Sequence, residues 1–172
     1  MVRKVNGAHG ARSAKKGNSA YDEALYFLTP KARTVREVEN RLDECDHSEM
    51  EIFDAVERLK NAGLLDDGKY AADFIESRLN TKPVSRMKLR EQLAGHFIDA
   101  DIIDDALSRV TAEVELDNAR AVAEKYFRQF RGLELSERLR RTGLRLASRG
   151  YGYDDIKTVL SELDDDDERI DF

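Results

Sequence analysis

Residues 34–63 have the sequence TVREVENRLDECDHSEMEIFDAVERLKNAG and contain the start signals of two successive helices. Thr34 with Glu37 and Ser48 with Glu51 match the capping box, in which the hydroxyl accepts a first-turn N–H and the glutamate bonds back to the cap residue. Each such cap stabilises a helix by about 1 kcal/mol. The second helix continues through an apolar stripe of helical period to a C-terminal glycine: Ile52, Phe53, Val56, Leu59 and Gly63.

The rest of the chain repeats this pattern and predicts an all-α protein of about nine helices. No segment alternates apolar and polar residues over more than a few positions, so we expect no sheet. Both prolines, Pro30 and Pro83, fall where helices are expected to end. The predicted helices begin near Tyr21, Thr34, Ser48, Asp66 or Asp67, Ser85, Asp99, Asp117, Leu135 and Asp154.

The helices recur at a fixed period. Leu42, Leu93 and Leu146 are separated by 51 and 53 residues, and an isoleucine follows each one after ten, nine and ten residues: Ile52, Ile102 and Ile156. Gly95 follows the second leucine and Gly150 the third, whereas the first is followed by Cys45-Asp46. A helical bundle without repeats also places leucines at near-regular intervals, but the shared order of cap, leucine, turn and isoleucine favours a true repeat.

We therefore predict three tandem three-helix repeats, at 21–64, 65–114 and 115–163. A unit of about fifty residues is marginally stable alone, so the units are expected to stack into an elongated, curved array. Residues 1–20 form a basic tail and residues 164–172 an acidic tail, both predicted to be disordered. The acidic tail either competes with DNA for basic residues of the same chain or only keeps the protein soluble.

Composition excludes several classes of function. The single cysteine, Cys45, rules out an internal disulfide, and the three histidines lack a second ligand at metal-binding spacing. We find no phosphate-binding glycine motif and no nucleophile with a base at a recognisable spacing, so we expect neither an enzyme nor a cofactor. There is no secretory signal or membrane-spanning stretch, which predicts a cytoplasmic protein. The net charge of −6 partly reflects the acidic tail and does not exclude nucleic acid.

Three motifs carry a resemblance to a known family. They are Leu65-Asp66-Asp67-Gly68-Lys69-Tyr70-Ala71 with Ile75 and Arg78, the basic run Arg86 to Leu93, and Leu146-Ala147-Ser148-Arg149-Gly150-Tyr151 leading into Ile156. Together they resemble the RecX family of RecA regulators over roughly residues 21 to 163. No single motif is specific, but the ordered set is.

The resemblance implies a regulatory protein without chemistry of its own. Such a protein binds RecA, lies along the groove of the RecA–single-stranded DNA filament and mostly inhibits filament growth, ATP hydrolysis and strand exchange in DNA repair, homologous recombination and the SOS response. We expect a monomer whose partners are RecA and its filament, with direct DNA contact left open and no membrane or small-molecule substrate. The alternative is a stand-alone DNA-binding regulator of the helix-turn-helix type, with residues 136–149 as recognition helix.

The best binding candidates are arginines of the predicted helix from Leu135 to Arg149. Spacings of three and four residues place four of them within one narrow arc of that helix, and guanidinium groups suit phosphate or carboxylate partners. The alternative without a binding role is a solvated helix face whose charge is partly neutralised by Glu134 and Glu137. The candidates are Arg138, Arg141, Arg145 and Arg149, with Arg128 and Arg131 from the preceding helix and a weaker group of Arg86, Lys88 and Arg90.

Two other features have simpler explanations than function. Asp66 and Asp67 could suggest acid–base catalysis, but a helix cap explains the pair. The aromatic run of Tyr126, Phe127 and Phe130 is predicted to lie in the core.

Overall fold

The computed structural model describes residues 18–170, with side chains to Asp165, and this part of the chain contains nine helices and no strand. The predicted all-α fold is confirmed. The helices are α1 (Ala20–Leu28), α2 (Val35–Glu44), α3 (Glu49–Asn61), α4 (Asp67–Thr81), α5 (Arg86–Gly95), α6 (Ala100–Leu107), α7 (Ala112–Gln129), α8 (Leu135–Ala147) and α9 (Tyr153–Ile170).

Capping residues begin most helices where the sequence predicts. Thr34 and Ser48 both complete capping boxes, with Glu37 and Glu51. The start of α7 is different, because Thr111 accepts the N–H of Val114 and begins the helix five residues before the predicted position near Asp117. The unit boundary placed after residue 114 therefore falls in the first turn of α7.

Each successive group of three helices buries its own core. Unit 1 (α1–α3) packs around Leu42 and Leu59, unit 2 (α4–α6) around Leu89 and Leu93, and unit 3 (α7–α9) around Leu146. Helices pack mainly against helices of the same unit. The array therefore has three small hydrophobic cores, one in each unit. In such an array the stability of a unit depends on its own core and on its contacts with the adjacent units.

All three units contain the same turn between their second and third helices. In each, the N–H of the fifth residue after the aligned leucine donates to that leucine's carbonyl, at 3.2, 3.5 and 3.3 Å. The fourth residue takes the left-handed conformation, and it is Asp46, Phe97 or Gly150. Gly95, which we had matched to Gly150, instead ends α5 and has no positive φ. The sequence match was misled because only one of the three turns uses glycine.

The same turns correct the isoleucine alignment. The N–H groups of Ile52, Ile103 and Ile156 each donate to the carbonyl of the residue that precedes the third helix of their unit. Ile103 rather than Ile102 is therefore the equivalent of the other two. Ile103 is buried, whereas Ile102 is half-buried at the edge of the unit 2 core.

The units are joined by polar contacts at equivalent positions, made by a hydroxyl in the first joint and by a backbone N–H in the second. In joint 1–2, Thr34 donates its hydroxyl to the carbonyl of His96 at 2.8 Å, and the N–H of Val35 donates to the Asp67 carboxylate at 2.9 Å. Thr34 is fully buried there. A helix N-terminus of one unit thus bonds to the turn and the first helix of the next unit.

In joint 2–3, Ser85 and Arg86 take the places of Thr34 and Val35. The Ser85 N–H donates to the carbonyl of Arg149 at 3.1 Å, and the Arg86 N–H donates to the Glu115 carboxylate at 3.0 Å. A Cβ atom on Gly150 would lie 2.6 Å from the Ser85 Oγ, so this joint depends on glycine. Tyr151 is buried beside it, and burial raises the pKa of its phenol to about 12, with the Glu115 charge adding to the effect.

Joint 1–2 also contains ionisable and aromatic groups. The His96 Nδ1 lies 2.9 Å from the Glu37 carboxylate, and its ring packs against those of Tyr70 and Phe74. Burial raises the pKa of Asp67, while its bond from Val35 opposes the rise. The sequence predicts that the Asp66-Asp67 pair caps α4, but only Asp66 is its N-cap. The Asp67 carboxylate instead accepts the Val35 N–H in joint 1–2.

The last helix continues past the predicted end of the third repeat. The backbone of α9 is helical to Ile170, so most positions of the predicted acidic tail belong to this helix. Residues 1–17, which hold most of the predicted basic tail, and residues 171–172 lie outside the described residues. Within residues 18–170, no helix is both long enough and apolar enough to span a bilayer.

Candidate partner-binding surface

The arginine-rich helix α8 is held by small and apolar residues on its inner side. Leu146 and Thr142 are fully buried. At Gly143 the backbone comes so close to α9 that a Cβ would lie 3.1 Å from the Leu160 methyl carbon. Because α8 lies tightly against α7 and α9, the directions of its outer side chains are fixed.

Three of the four arginines predicted on this helix pack on aromatic rings of α7, although α8 ends at Ala147 rather than at the predicted Arg149, so Arg149 lies in the turn that follows. The guanidinium of Arg138 lies 3.7 Å from the centre of the Phe127 ring, and those of Arg145 and Arg149 lie 5.6 and 4.9 Å from the Tyr126 ring. Arg149 also donates to the Tyr126 hydroxyl at 2.7 Å. Stacking of this kind holds a guanidinium in place without neutralising its charge.

The fourth arginine, Arg141, is bound to a carboxylate. Glu137 accepts from the Nε of Arg141 at 2.6 Å and from Arg140 at 2.7 Å, all on the surface of α8. The bonds from Arg140 and Arg141 lower the pKa of Glu137 to about 2. Glu137 therefore pairs with Arg140 and Arg141, whereas Arg145 and Arg149 have no carboxylate within ion-pair distance among the described side chains.

The two predicted arginines that precede α8 are exposed. Arg128 lies 3.8 Å from Glu124, one turn earlier in α7, and Arg131 follows the end of that helix. We call the six arginines together the arginine surface, which consists of Arg128, Arg131, Arg138, Arg141, Arg145 and Arg149.

The weaker basic group on α5 is mostly occupied by contacts of its own unit. Lys88 pairs with Glu91, and Arg90 pairs with Asp104 across to α6. Arg86 begins α5, and its backbone N–H belongs to joint 2–3. Two of the three cations are therefore paired within unit 2.

Two features of unit 3 do not follow from the sequence. Tyr126 packs against the unit 3 core as predicted, but it is only half-buried and also contacts Arg145 and Arg149; Phe127 is the buried member of the aromatic run. Arg120 joins α7 to α9 by two bonds to Glu162, both 2.8 Å, and a third to Asp117 at 2.9 Å. Such contacts depend on how α7, α8 and α9 pack, which residue spacing within one helix does not reveal.

Comparison with known families assigns each unit separately. Residues 20–59, 66–107 and 113–160 match the first, second and third three-helix domains of RecX. The chain belongs to the RecX family. The resemblance deduced from the ordered motifs is thereby confirmed, as is the arrangement of three helical repeats.

Curated relatives agree with this assignment. The chain is 31% identical over 152 residues to a Regulatory protein RecX of Streptomyces lividans, in an alignment that covers 84% of this chain and 81% of the relative. It is 28% identical over 151 residues to a Regulatory protein RecX of Limosilactobacillus reuteri, covering 88% of this chain but only 57% of that longer protein. RecX is a family of regulatory proteins, and these relatives carry that name.

The fold is also shared with solved structures. The crystal structure of RecX from Lactobacillus salivarius superposes with a TM-score of 0.74 at 28% identity, over 84% of this chain and 94% of that one. A second crystal structure of a regulatory protein RecX gives a TM-score of 0.68, over 81% of this chain and 69% of that one.

Proposed function

We propose that this protein binds RecA and the RecA–single-stranded DNA filament, and that it mostly inhibits filament growth, ATP hydrolysis and recombination. Membership of the RecX family supports a regulatory role, and the elongated array suits a partner that is itself a long filament. The proposal extends to a cytoplasmic monomer that acts in DNA repair and the SOS response without a catalytic step.

We infer that the arginine surface makes the contact, with phosphates of the filament DNA or with acidic groups of RecA. The observation that carries this inference is the stacking of Arg145 and Arg149 on Tyr126. A guanidinium fixed on a ring loses little side-chain entropy when it binds, and its edge remains able to form paired hydrogen bonds to an anion. Arg138 packs on Phe127 and holds the same side of α8.

The test measures ATP hydrolysis by RecA on single-stranded DNA with the purified chain added. We expect inhibition by the natural sequence and weaker inhibition after Arg141→Ala with Arg145→Ala. The matched control is Arg36→Ala with Arg58→Ala, which removes two exposed, ion-paired charges of unit 1. If two phosphate contacts are lost, the slope of log affinity against log salt falls by about 1.4 for single-stranded DNA.

The outcomes separate the proposal from its alternative. If the natural chain has no effect on RecA, the proposed function is wrong. If the chain binds a specific duplex sequence without RecA, it is a stand-alone regulator of the helix-turn-helix type. If both double variants inhibit equally, RecA regulation stands but the arginine surface is not its contact.

A further inference from the structure

The shared turn sets the register of the second and third helices, so the space between these two helices can be compared position by position in the three units. In unit 1 the groove between α2 and α3 has a volume of about 470 Å³. Ile52, Phe53 and Val56 form its apolar wall. Phe53 lies eleven residues after the aligned Leu42, and 65% of its surface is exposed.

In unit 2 the same place is closed by an ion pair. Arg90 lies three residues before Leu93, and Asp104 lies eleven residues after it. These two side chains bond across the groove, from α5 to α6. A cation thus reaches over from the second helix to a carboxylate on the third.

In unit 3 the groove is closed by close packing. Gly143 lies three residues before Leu146, at the position of Arg90 in unit 2. The Leu160 and Ile156 methyl groups lie 3.1 and 3.7 Å from where a Cβ of Gly143 would be. Aliphatic groups of α9 therefore fill the space directly.

Unit 1 has neither an ion pair nor close aliphatic packing at the equivalent positions of α2 and α3. Glu39, at the position of Arg90, turns along its own helix to Arg36 at 3.1 Å. Across the groove stands the Phe53 ring instead of a carboxylate. Among the described side chains, the rim carboxylates of Asp43 and Glu49 have no cationic partner within ion-pair distance. The open groove thus combines an exposed aromatic ring with excess negative charge.

We propose that the groove between α2 and α3 is a docking site for a segment of a partner protein that presents an apolar side chain flanked by lysine or arginine. Units 2 and 3 indicate this chemistry, since a guanidinium spans the two helices in unit 2 and aliphatic groups pack between them in unit 3. The unpaired carboxylates attract the cations, and Phe53 contacts the apolar side chain. This docking site lies in unit 1, away from the arginine surface, and it does not rest on the proposed function.

The probes are immobilised nine-residue synthetic peptides with leucine or phenylalanine at the centre and lysine or arginine on both sides. Matched peptides have serine at the centre or glutamate at the flanks, and a further peptide has the sequence of residues 1–17. The full chain is applied to the array, and the dissociation constant of the best peptide is measured by fluorescence anisotropy. We expect binding only when the apolar centre and the basic flanks occur together.

Two variants test the site, and two others serve as controls. Phe53→Ser should weaken the best peptide at least about tenfold, as expected for losing the burial of one aromatic side chain. The double change Glu39→Arg with Phe53→Asp copies the ion pair of unit 2 and should abolish binding, whereas Glu76→Gln makes the same net charge change on unit 2 and should not. Met87→Ser removes an equally exposed apolar side chain of unit 2 and should leave binding unchanged.

Four results would overturn the proposal. They are no peptide preference, equal binding by Phe53→Ser, selection of the peptide of residues 1–17 above all others, and a dimer of the chain that Phe53→Ser dissociates. The last two would assign the groove to this chain's own N-terminal segment or to a second copy.

Discussion

Gly150→Ala should weaken the protein by more than a left-handed glycine alone explains. The φ angle of Gly150 is +85°, and an alanine there costs about 1–2 kcal/mol. The new Cβ would also lie 2.6 Å from the Ser85 Oγ and 3.3 Å from the Lys88 Cβ. The hydroxyl cannot rotate away freely, because it caps α5 by accepting the Lys88 N–H at 3.1 Å.

Displacing the Ser85 hydroxyl from its cap should therefore cost about 1 kcal/mol more, the usual value of a helix cap. The free energy of unfolding should fall by about 2–3 kcal/mol in total. Gly63→Ala is the matched control. Its φ is +67°, and no atom lies within 4 Å of the added Cβ, so it carries the backbone cost alone. Urea unfolding measures both free energies. Small-angle X-ray scattering should show a larger radius of gyration for Gly150→Ala only, since units 2 and 3 must move apart.

Equal destabilisation by Gly150→Ala and Gly63→Ala, with identical scattering curves, would contradict this reasoning. It would mean that Ser85 and Gly150 do not hold units 2 and 3 at a fixed distance.

Two further changes test the joints. Thr34→Val removes both the cap of α2 and the bond to the His96 carbonyl, so the free energy of unfolding in urea should fall by about 2 kcal/mol. Thr34→Ser keeps both bonds and should match the natural protein. An equal loss in both variants would refute the assignment. Burial raises the pKa of Tyr151 from 10.0 to about 12, so its contribution to the free energy of unfolding should be fully present below pH 10 and be lost as the pH rises toward 12. The urea midpoint of Tyr151→Phe should lack this part of the decrease with pH. Identical pH profiles of the two proteins would show that Tyr151 does not contribute.

The helices could be predicted from the sequence because their signals are local. Thr34 and Ser48 begin helices with their own glutamates three residues later, and no distant residue is needed to recognise them. The repeat could be found for the same reason, since each unit carries its own leucine and turn. Errors appeared where a local signal was absent. Phe97 adopts the left-handed conformation without being glycine, and Gly95, two residues earlier, is the nearest glycine that resembles a turn signal.

The contacts between elements could not be predicted in this way. Asp67 looks like a helix cap, and only the folded chain brings it to the N–H of Val35. The arginines of α8 were found as an arc on one helix, but the role of Tyr126 depends on how α7 and α8 cross. Spacing within a helix gives the face on which a residue lies, and it does not give the neighbour that this face meets.

The extra first turn of α8 gives the array a direction. In units 1 and 2, the residue eight positions before the aligned leucine is a cap, Thr34 or Ser85, with a donor to offer the following unit. In unit 3 that position is Arg138, whose N–H already donates to the Glu134 carbonyl at 2.9 Å inside the helix. The backbone N–H that Ser85 donates to unit 3 therefore has no free counterpart at this position of unit 3. A duplicated repeat could therefore be joined by this contact ahead of unit 3, but the same contact could not be made after unit 3.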